Sequence, residues 1–349
     1  MKTTITKGGL MMPRRSFLMG TAAVAGATLA APSIVRAQSN VLYINSWGGA
    51  WLEAATANLF QPFTAATGIE IQTVSPVSFA KLAAQVRSGV YEFDVTTLGG
   101  GDIVRANQAG LLEELTPTFE GSVFENGMAS HAFATILAWR TDTYQDQQPN
   151  SWADFWDVER FPGRRCLQRY PARVLPLALL ADGVAKEDLY PLDIERAFAK
   201  LEQIKEHITV WWTAGAQSEQ LLRDGEIDMI GMWHGGYFRT EDSGAPVAMT
   251  WNEAEIERAY WVVAKDTPNM EAARSFVEFA TSAEPLAGFV TQANYGALNP
   301  AATALVPDTA QPRTPTSPAN YAVAFEQDML NWGADPEVVS LRFEEWLSS

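Results

Sequence analysis

Short apolar runs alternate with amphipathic patterns from residue 41 onward, and this alternation restricts the fold more than any other feature of the chain. Residues 41–44 form an apolar run of strand type, and "IEIQTV" and "FDVTTL" supply two more. Helical spacing of apolar residues separates these runs, and Gly68 and Gly89 mark helix ends. Strands that alternate with helices are typical of a mostly parallel sheet with helices on both faces. The sequence therefore predicts an α/β fold.

The segment "DGEIDMIGMWHGG", residues 224–236, predicts a buried strand that runs directly into Trp233 and His234. A strand that only fills a core would end in a turn. Here Gly235 and Gly236 leave the backbone free to approach another group closely. The pattern indicates that the end of this strand does more than fill a core.

Tryptophan is frequent, and several of the twelve follow predicted strands: Trp47, Trp211, Trp212, Trp233 and Trp251. In a doubly wound sheet, the ligand crevice lies beyond the carboxyl ends of the strands. Tryptophan there offers a flat apolar wall with a polar handle, and its face attracts ammonium groups. We predict that most of this set lines a cleft, and the alternative for each residue is a place in the core.

The N-terminal segment has the pattern of an export signal. Arg14 and Arg15 precede an apolar run over residues 17–31, and the small-residue sequence "VRA" follows. The run is too short, and too rich in alanine and glycine, for a stable membrane-spanning helix. The twin arginine resembles a Tat signal, with a Sec signal or an uncleaved anchor as the alternatives. We predict a signal peptide over 1–37, cleavage near Ala37 and a periplasmic mature protein.

Charge and motif content exclude several classes of function. A net charge of −16, from 41 acidic and 25 basic residues, repels phosphate backbones and excludes nucleic acid as a partner. His131, His207 and His234 show no metal-ligand spacing with a second His or Cys, so we predict no metal site and no cofactor. No G-x-S-x-G or G-x-x-x-x-G-K motif occurs, and "LGGGD" is predicted to be a tight strand-to-helix turn.

Longer stretches that cover most of residues 40–300 carry a family resemblance: "LYINSWGGAWLEAATANLFQPFTAATGIEI", "YEFDVTTLGGGDIVRANQAGLLEEL", "SWADFWDVERFPGRR", "LLADGV", "YPLDIERAFAKLEQIKEHITVWWTAGAQSEQLLRDGEIDMIGMWHGG", "APVAMTWNEA" and "YWVVAKDTPNMEAA". Together they resemble the periplasmic solute-binding proteins of ABC importers, of the spermidine/putrescine type. The resemblance implies the periplasmic-binding-protein type II fold, with two α/β lobes and a ligand cleft between them. It also implies that Trp47, Trp233 and Tyr295 flank the ligand.

The same resemblance implies a function and a domain plan. The chain is expected to capture a small polar solute, either a polyamine-like amine or an ω-amino acid, as a monomer and to deliver it to an inner-membrane ABC permease, without catalysis. The N-terminal lobe is expected to combine residues 38–138 with 260–300. The C-terminal lobe is expected to combine residues 139–259 with 301–349.

The chain departs from the polyamine-binding pattern at the residues that clamp the amines. Polyamine binders use Asp or Glu, whereas the matching positions here fall near Tyr170, Arg173 and Ala259. An arginine repels a dication but grips a carboxylate with two hydrogen bonds. We therefore hypothesise a solute with a carboxylate and an amine, such as γ-aminobutyrate or another ω-amino acid. The alternative places Arg173 at a solvent-facing helix start.

The predicted ligand-binding residues combine this hypothesis with the aromatic strand ends. They are Trp47, Asp102, Arg173, Trp212, Trp233, His234, Trp251 and Tyr295. The amine partner is predicted to be Asp102, Glu253 or Glu257.

Other functions on the same fold stay open at this point. One is a thiaminase-like enzyme with Cys166, the single cysteine, as its nucleophile, which would need a base or a positive charge to lower the thiol pKa. The alternative for Cys166 is a small buried hydrophobe. A sugar or another carboxylate is a further possible solute, whereas a ferric ion usually requires paired tyrosines, and no adjacent pair occurs.

Overall fold

The computed structural model describes residues 40–349, so the predicted signal peptide over 1–37 lies outside the described residues. The strands in the described part, in chain order, are β1 (Val41–Asn45), β2 (Glu70–Val74), β3 (Val95–Gly99), β4 (Val123–Phe124), β5 (Gly127–Arg140), β6 (Arg165–Gln168), β7 (Ile208–Trp212), β8 (Met229–Trp233), β9 (Val247–Val263), β10 (Gly296–Ala297) and β11 (Phe325–Glu326).

The helices of the same part are α1 (Gly49–Ala55), α2 (Gln61–Thr67), α3 (Phe79–Ser88), α4 (Gly100–Gln108), α5 (Trp152–Trp156), α6 (Pro171–Ala181), α7 (Ile194–Ile204), α8 (Gly215–Arg223), α9 (His234–Asp242), α10 (Met270–Ala280), α11 (Ala283–Ala293), α12 (Pro300–Thr303), α13 (Pro318–Val323) and α14 (Pro336–Ser348). A π-helical turn over Thr56–Phe60 joins α1 to α2. Within residues 40–349, none of the helices has both the length and the apolar character needed to cross a membrane.

The strands form one sheet in the order β2-β1-β3-β9-β5-β8-β6-β7. Two groups of parallel strands, β2-β1-β3 and β8-β6-β7, occupy its two ends. Between them lie β5 and β9, which run antiparallel to each other and to β8 and β3 respectively. The α/β class is therefore confirmed, but the sheet is mixed rather than mostly parallel, because its two longest strands oppose their neighbours.

The strands β5 and β9 connect the two groups physically. Near its end, β9 pairs with β3, while the earlier part of β9 pairs with the later part of β5, which in turn pairs with β8. The β5–β9 ladder contains two irregularities, one between Ala129 and Ala132 and one between Thr135 and Leu137. Such irregularities bend a strand and increase its local twist.

The apolar core divides in the same way as the strands. One set of buried residues joins β1 and α1 to the segment from β9 to α12, with Trp51, Trp261 and Phe276 at its centre. Another joins α5, α6 and α7 to α14 through Trp152 and Phe343. The lobe boundaries themselves, 38–138 with 260–300 and 139–259 with 301–349, stay a prediction.

Arg165 is a buried cation inside the second group of strands, with only 1% of the residue exposed. Backbone carbonyls surround its guanidinium. Nε donates to the carbonyl of Phe155 at 2.8 Å, and Nη1 donates to that of Gly163 at 2.9 Å. Nη2 donates to the carbonyls of Asp157 and Phe161. One side chain thus holds the turn between α5 and β6 against the sheet, because an arginine can donate five hydrogen bonds in a fixed geometry.

Candidate functional site

Three neighbouring strands bring one row of side chains together in the middle of the sheet. Trp233 on β8 lies opposite Thr135 on β5, and Thr135 lies opposite Glu255 on β9. Two residues away along β5 and β9, Phe133 lies opposite Glu257. Directly opposed residues, and residues two apart on one strand, project from the same face of a sheet. These five side chains therefore share one face.

Arg173 reaches this face from the first turn of α6. Its guanidinium donates a hydrogen bond to the carboxylate of Glu257, and the two side chains are 15% and 9% exposed. The guanidinium carbon lies 5.7 Å from the ring centre of Phe133, 5.5 Å from that of Tyr170 and 5.8 Å from that of Trp233. These distances fall within the roughly 6 Å reach of a cation–π interaction, so three aromatic rings enclose one paired cation.

Trp212 supports this aromatic enclosure from behind. Its ring packs edge-on against Trp233 at 5.0 Å, and its indole N–H donates to the carbonyl of Gly231 at 2.9 Å. Trp212 is fully buried, so its contribution is to fix the plane of the Trp233 ring. A Cβ at Gly215 would lie 3.0 Å from the same ring, which shows how closely the start of α8 packs there.

The turn predicted from "LGGGD" closes the other side of the site. The prediction is confirmed, because β3 ends at Gly99 and α4 begins at the next residue. A Cβ at Gly99 would lie only 2.0 Å from a carboxylate oxygen of Glu257, so any larger residue at this position would displace that carboxylate. Asp102, in the first turn of α4, has a half-exposed side chain 3.7 Å from Arg105, and it interacts electrostatically with Arg173.

His234 lies outside this enclosure and uses both of its ring nitrogens within the protein. The backbone N–H of Ala134 donates to Nδ1 at 3.1 Å, and Nε2 donates to the carbonyl of Asn294 at 2.7 Å. Burial lowers the pKa of His234 to about 4. The imidazole is therefore neutral and joins β5 to the end of α11.

Two further predicted residues, Trp251 and Tyr295, pack with His234 rather than with Arg173. Their ring centres lie 5.6 Å and 5.9 Å from the imidazole. The indole N–H of Trp251 donates to the carbonyl of Pro312 at 3.1 Å. The remaining predicted aromatic residue, Trp47, is 47% exposed in the connection between β1 and α1.

Glu253, named above as one of three amine partners, is occupied at the start of α5. Its carboxylate accepts a hydrogen bond from the backbone N–H of Trp152 at 2.8 Å, and its carbonyl accepts one from the Trp152 indole at 2.9 Å. A backbone φ of +58° at Glu253 turns the strand toward this helix. The structure thus brings Arg173, Trp233, Trp212, Asp102 and Glu257 together and holds Glu253 apart.

The site also contains polar residues that the sequence did not single out. The side-chain amide of Gln327 donates to Glu255 at 3.0 Å and to the carbonyl of Ala172 at 3.2 Å. The amide of Gln168 donates to the hydroxyl of Thr135 at 3.2 Å. For Glu255, which was not among the predicted site residues, a sequence signal was available, because acids alternate in "NEAEIE" and alternation places such residues on one face of a strand. No comparable pattern indicated Gln327.

Cys166 has the surroundings of a packing residue. It is fully buried, and burial raises the pKa of its thiol to about 12. Nucleophilic thiols require a lowered pKa and access to the reactant, so these features oppose a catalytic role. Among residues 40–349 no group of three or more His, Cys, Asp or Glu side chains is arranged to hold a metal ion.

Two buried histidines are expected to steepen the loss of stability in acid. Burial, with a smaller contribution from neighbouring His234, lowers the pKa of His131 to about 3, compared with 6.5 for a free side chain. Between pH 6.5 and about 4 the unfolded chain binds protons that the folded chain does not bind, so the free energy of unfolding decreases as the pH is lowered. Each histidine contributes about 1.4 kcal/mol per pH unit.

Urea unfolding at three pH values between 6.5 and 4.5 measures this slope. The slope of the free energy of unfolding against pH should be smaller for His131→Asn than for the parent protein by about 1.4 kcal/mol per pH unit. The slope for His207→Asn, at an exposed position, should match that of the parent. Glu255, whose pKa burial raises to about 8, acts in the opposite sense and cancels in the comparison. Equal slopes for His131→Asn and the parent would contradict the assignment.

Comparison with known proteins identifies the family. The family described as bacterial extracellular solute-binding protein matches residues 58–316. A γ-aminobutyric acid-binding protein of Pseudomonas aeruginosa is 35% identical over 332 residues, which cover 91% of this chain and 94% of that protein. A spermidine/putrescine-binding periplasmic protein of Escherichia coli is 23% identical over 265 residues, covering 69% and 72% of the two chains.

Solved structures agree with this assignment. The crystal structure of an ABC transporter substrate-binding protein from Bradyrhizobium japonicum has a TM-score of 0.84 and 35% identity, and covers 88% of this chain and 99% of its own. A GABA receptor structure has a TM-score of 0.81 and 32% identity, with 88% and 97% coverage.

The chain belongs to the bacterial extracellular solute-binding protein family. It has the periplasmic-binding-protein type II fold and is the substrate-binding component of an ABC transporter. The resemblance to the polyamine-binding proteins is confirmed, and the relatives are solute-binding transport proteins rather than enzymes.

Proposed function

We propose that the chain captures an ω-amino acid of the γ-aminobutyrate class and delivers it to an inner-membrane ABC permease. The observation that carries the proposal is the enclosure of Arg173 by Phe133, Tyr170 and Trp233, in the cleft region where polyamine binders place acids. An arginine at this place would repel a dication and favour a carboxylate. The names of two relatives, which refer to γ-aminobutyrate, support the same solute class.

The amine end of the solute is assigned to Asp102 and to the aromatic walls. Asp102 is half-exposed and lies near Arg173, whereas Glu253 is engaged with Trp152. A solute with one carboxylate and one amine adds no net charge. Such a solute suits a site in which Arg173 already has Glu257 as its partner.

The wider setting follows from the family and from the N-terminal sequence. We propose export by the twin-arginine signal over 1–37, cleavage near Ala37, and a monomeric periplasmic carrier that carries out no reaction. The burial and the raised pKa of Cys166 oppose the thiaminase-like alternative. Sugars would leave Arg173 without an anionic partner from the solute.

A thermal-shift screen of residues 38–349 tests the proposed solute. The panel should include γ-aminobutyrate, its methyl ester, butylamine, butyrate, putrescine, spermidine and glucose. Because butylamine and the ester lack the carboxylate and butyrate lacks the amine, they separate the two ends of the solute. At 100 times its dissociation constant, a ligand adds about 2.7 kcal/mol to the free energy of unfolding. We expect γ-aminobutyrate alone in this panel to raise the unfolding temperature strongly. A rise only with polyamines or sugar would refute the proposal.

A further inference from the structure

Several buried polar atoms around Arg173 have no hydrogen-bond partner within residues 40–349. They are Oε1 of Gln168, Nε of Arg173, Nε1 of Trp233 and Oε2 of Glu255. Buried polar groups in folded proteins are nearly always paired, because an unpaired one is costly. Such a concentration beside one cation indicates a binding site whose polar groups a ligand completes.

Glu255 is the acid of this group, and only 1% of the residue is exposed. The amide of Gln327 donates to its Oε1 at 3.0 Å, and Gln327 is itself fixed by a second hydrogen bond to the carbonyl of Ala172. The opposed residue on β5 is Thr135, whose hydroxyl also interacts with the Glu255 carboxyl group. One carboxyl oxygen is therefore held in place, and the other has no partner among the described residues.

Burial is the main factor that favours the neutral form of Glu255, and the charges that face it act in both directions. Arg173 is the cation on this face, and its hydrogen bond goes to Glu257 rather than to Glu255. Burial, opposed by Arg173 and reinforced by the negative charge of Glu257, raises the pKa of Glu255 to about 8. From the segment before α7, Tyr190 also faces Glu255, and burial raises its pKa, so it stays uncharged.

The outer charges do not alter this assignment. Asp102 acts on Glu257, and Asp328 acts on Tyr190. Both are acids, so neither supplies a cation that would stabilise an ionised Glu255. At neutral pH the carboxyl group therefore carries a proton, and no described residue accepts a hydrogen bond from its Oε2.

We propose that Glu255 is a specificity-determining residue that donates a hydrogen bond from Oε2 to the carboxylate of the solute. The proposal rests on the proposed function and adds a second recognition element to Arg173. A carboxylate accepts hydrogen bonds from both Arg173 and the protonated Glu255, whereas an ionised Glu255 would repel it. A polyamine offers its ammonium groups only as donors, so it cannot accept this hydrogen bond.

Calorimetric titration of γ-aminobutyrate between pH 7 and 9 tests the proposal. The affinity of the parent protein should fall about tenfold over this range, since Glu255 ionises and the solute requires its proton. Titration at pH 8 in two buffers of different ionisation enthalpy should show uptake of about half a proton per solute bound. Glu255→Gln, whose amide also donates, should bind within a few-fold of the parent at pH 7 and show neither effect.

Glu326→Gln is the matched control, because Glu326 lies on the neighbouring β11 and pairs with Arg258 at a partly exposed position. It should keep the parental pH profile. The proton-uptake measurement uses the parent protein alone, so it decides the matter even where a variant fails to fold. Binding without proton uptake would overturn the role of Glu255 and leave the proposed function intact. Absence of γ-aminobutyrate binding by the parent would overturn both.

Discussion

Replacement of Arg173 by alanine is expected to weaken γ-aminobutyrate binding about 30-fold or more, because loss of one partner of a buried charge pair costs roughly 2–5 kcal/mol. The guanidinium is the cation inside the enclosure of Phe133, Tyr170 and Trp233. Its removal takes away the donors to the carboxylate and also leaves Glu257 without its hydrogen-bond partner. The measurement is calorimetric titration of residues 38–349.

Two further variants separate charge from position. Arg173→Lys keeps the charge but loses the planar fork, so its affinity should fall between those of the parent and the alanine variant. Arg169→Ala removes an arginine that lies just before α6 and pairs with Glu344 at the surface, and binding should be unchanged. Full-strength binding by Arg173→Ala would refute the carboxylate clamp.

Replacement of Arg165 by methionine is expected to lower the free energy of unfolding by about 3–5 kcal/mol, in the range found for loss of a buried hydrogen-bonded network. Methionine fills a similar volume but donates no hydrogen bond, so the carbonyls of Phe155, Asp157, Phe161 and Gly163 lose the donor that they share. Urea denaturation followed by circular dichroism measures the effect.

The matched control for this change is Arg223→Met, because Arg223 pairs with Asp224 and both side chains are exposed by 40% or more. That variant should stay within about 0.5 kcal/mol of the parent. If Arg165→Met were as stable as Arg223→Met, the guanidinium would not hold the turn between α5 and β6. Solute affinity should change little, since Arg165 does not contact the enclosure of Arg173.

Local sequence patterns predicted much of the fold because they report burial and turn chemistry. The apolar runs predicted β1, β2, β3 and β8, and glycines predicted the turn from β3 to α4, whereas β6 and β7 were not predicted. The mixed sheet was not predicted, because the direction in which β5 and β9 cross the molecule depends on pairing between residues more than 100 positions apart. Local periodicity contains no information about that direction.

The site was predicted in part for a similar reason. Arg173 was indicated by its position relative to the family motifs. Trp233 was indicated by its position at the end of a predicted strand. Gln327 reaches the site only because β11 pairs with β9, which no short motif signals. For His234, the local pattern predicted a position at the end of a strand but contained no information about the side to which the ring turns. The structure directs it toward Asn294.

The two central strands β5 and β9 carry residues that the proposed function assigns to solute recognition. Phe133 and Thr135 belong to β5, and Glu255 and Glu257 belong to β9, so the proposed recognition residues lie where the two groups of parallel strands are joined. A small rotation about the connecting strands produces a larger displacement far from them, and packed interfaces amplify small shifts in this way. Under the proposed function, small differences between solutes at β5 and β9 would therefore change the relative orientation of the two groups of strands, and with it the surface offered to the proposed permease.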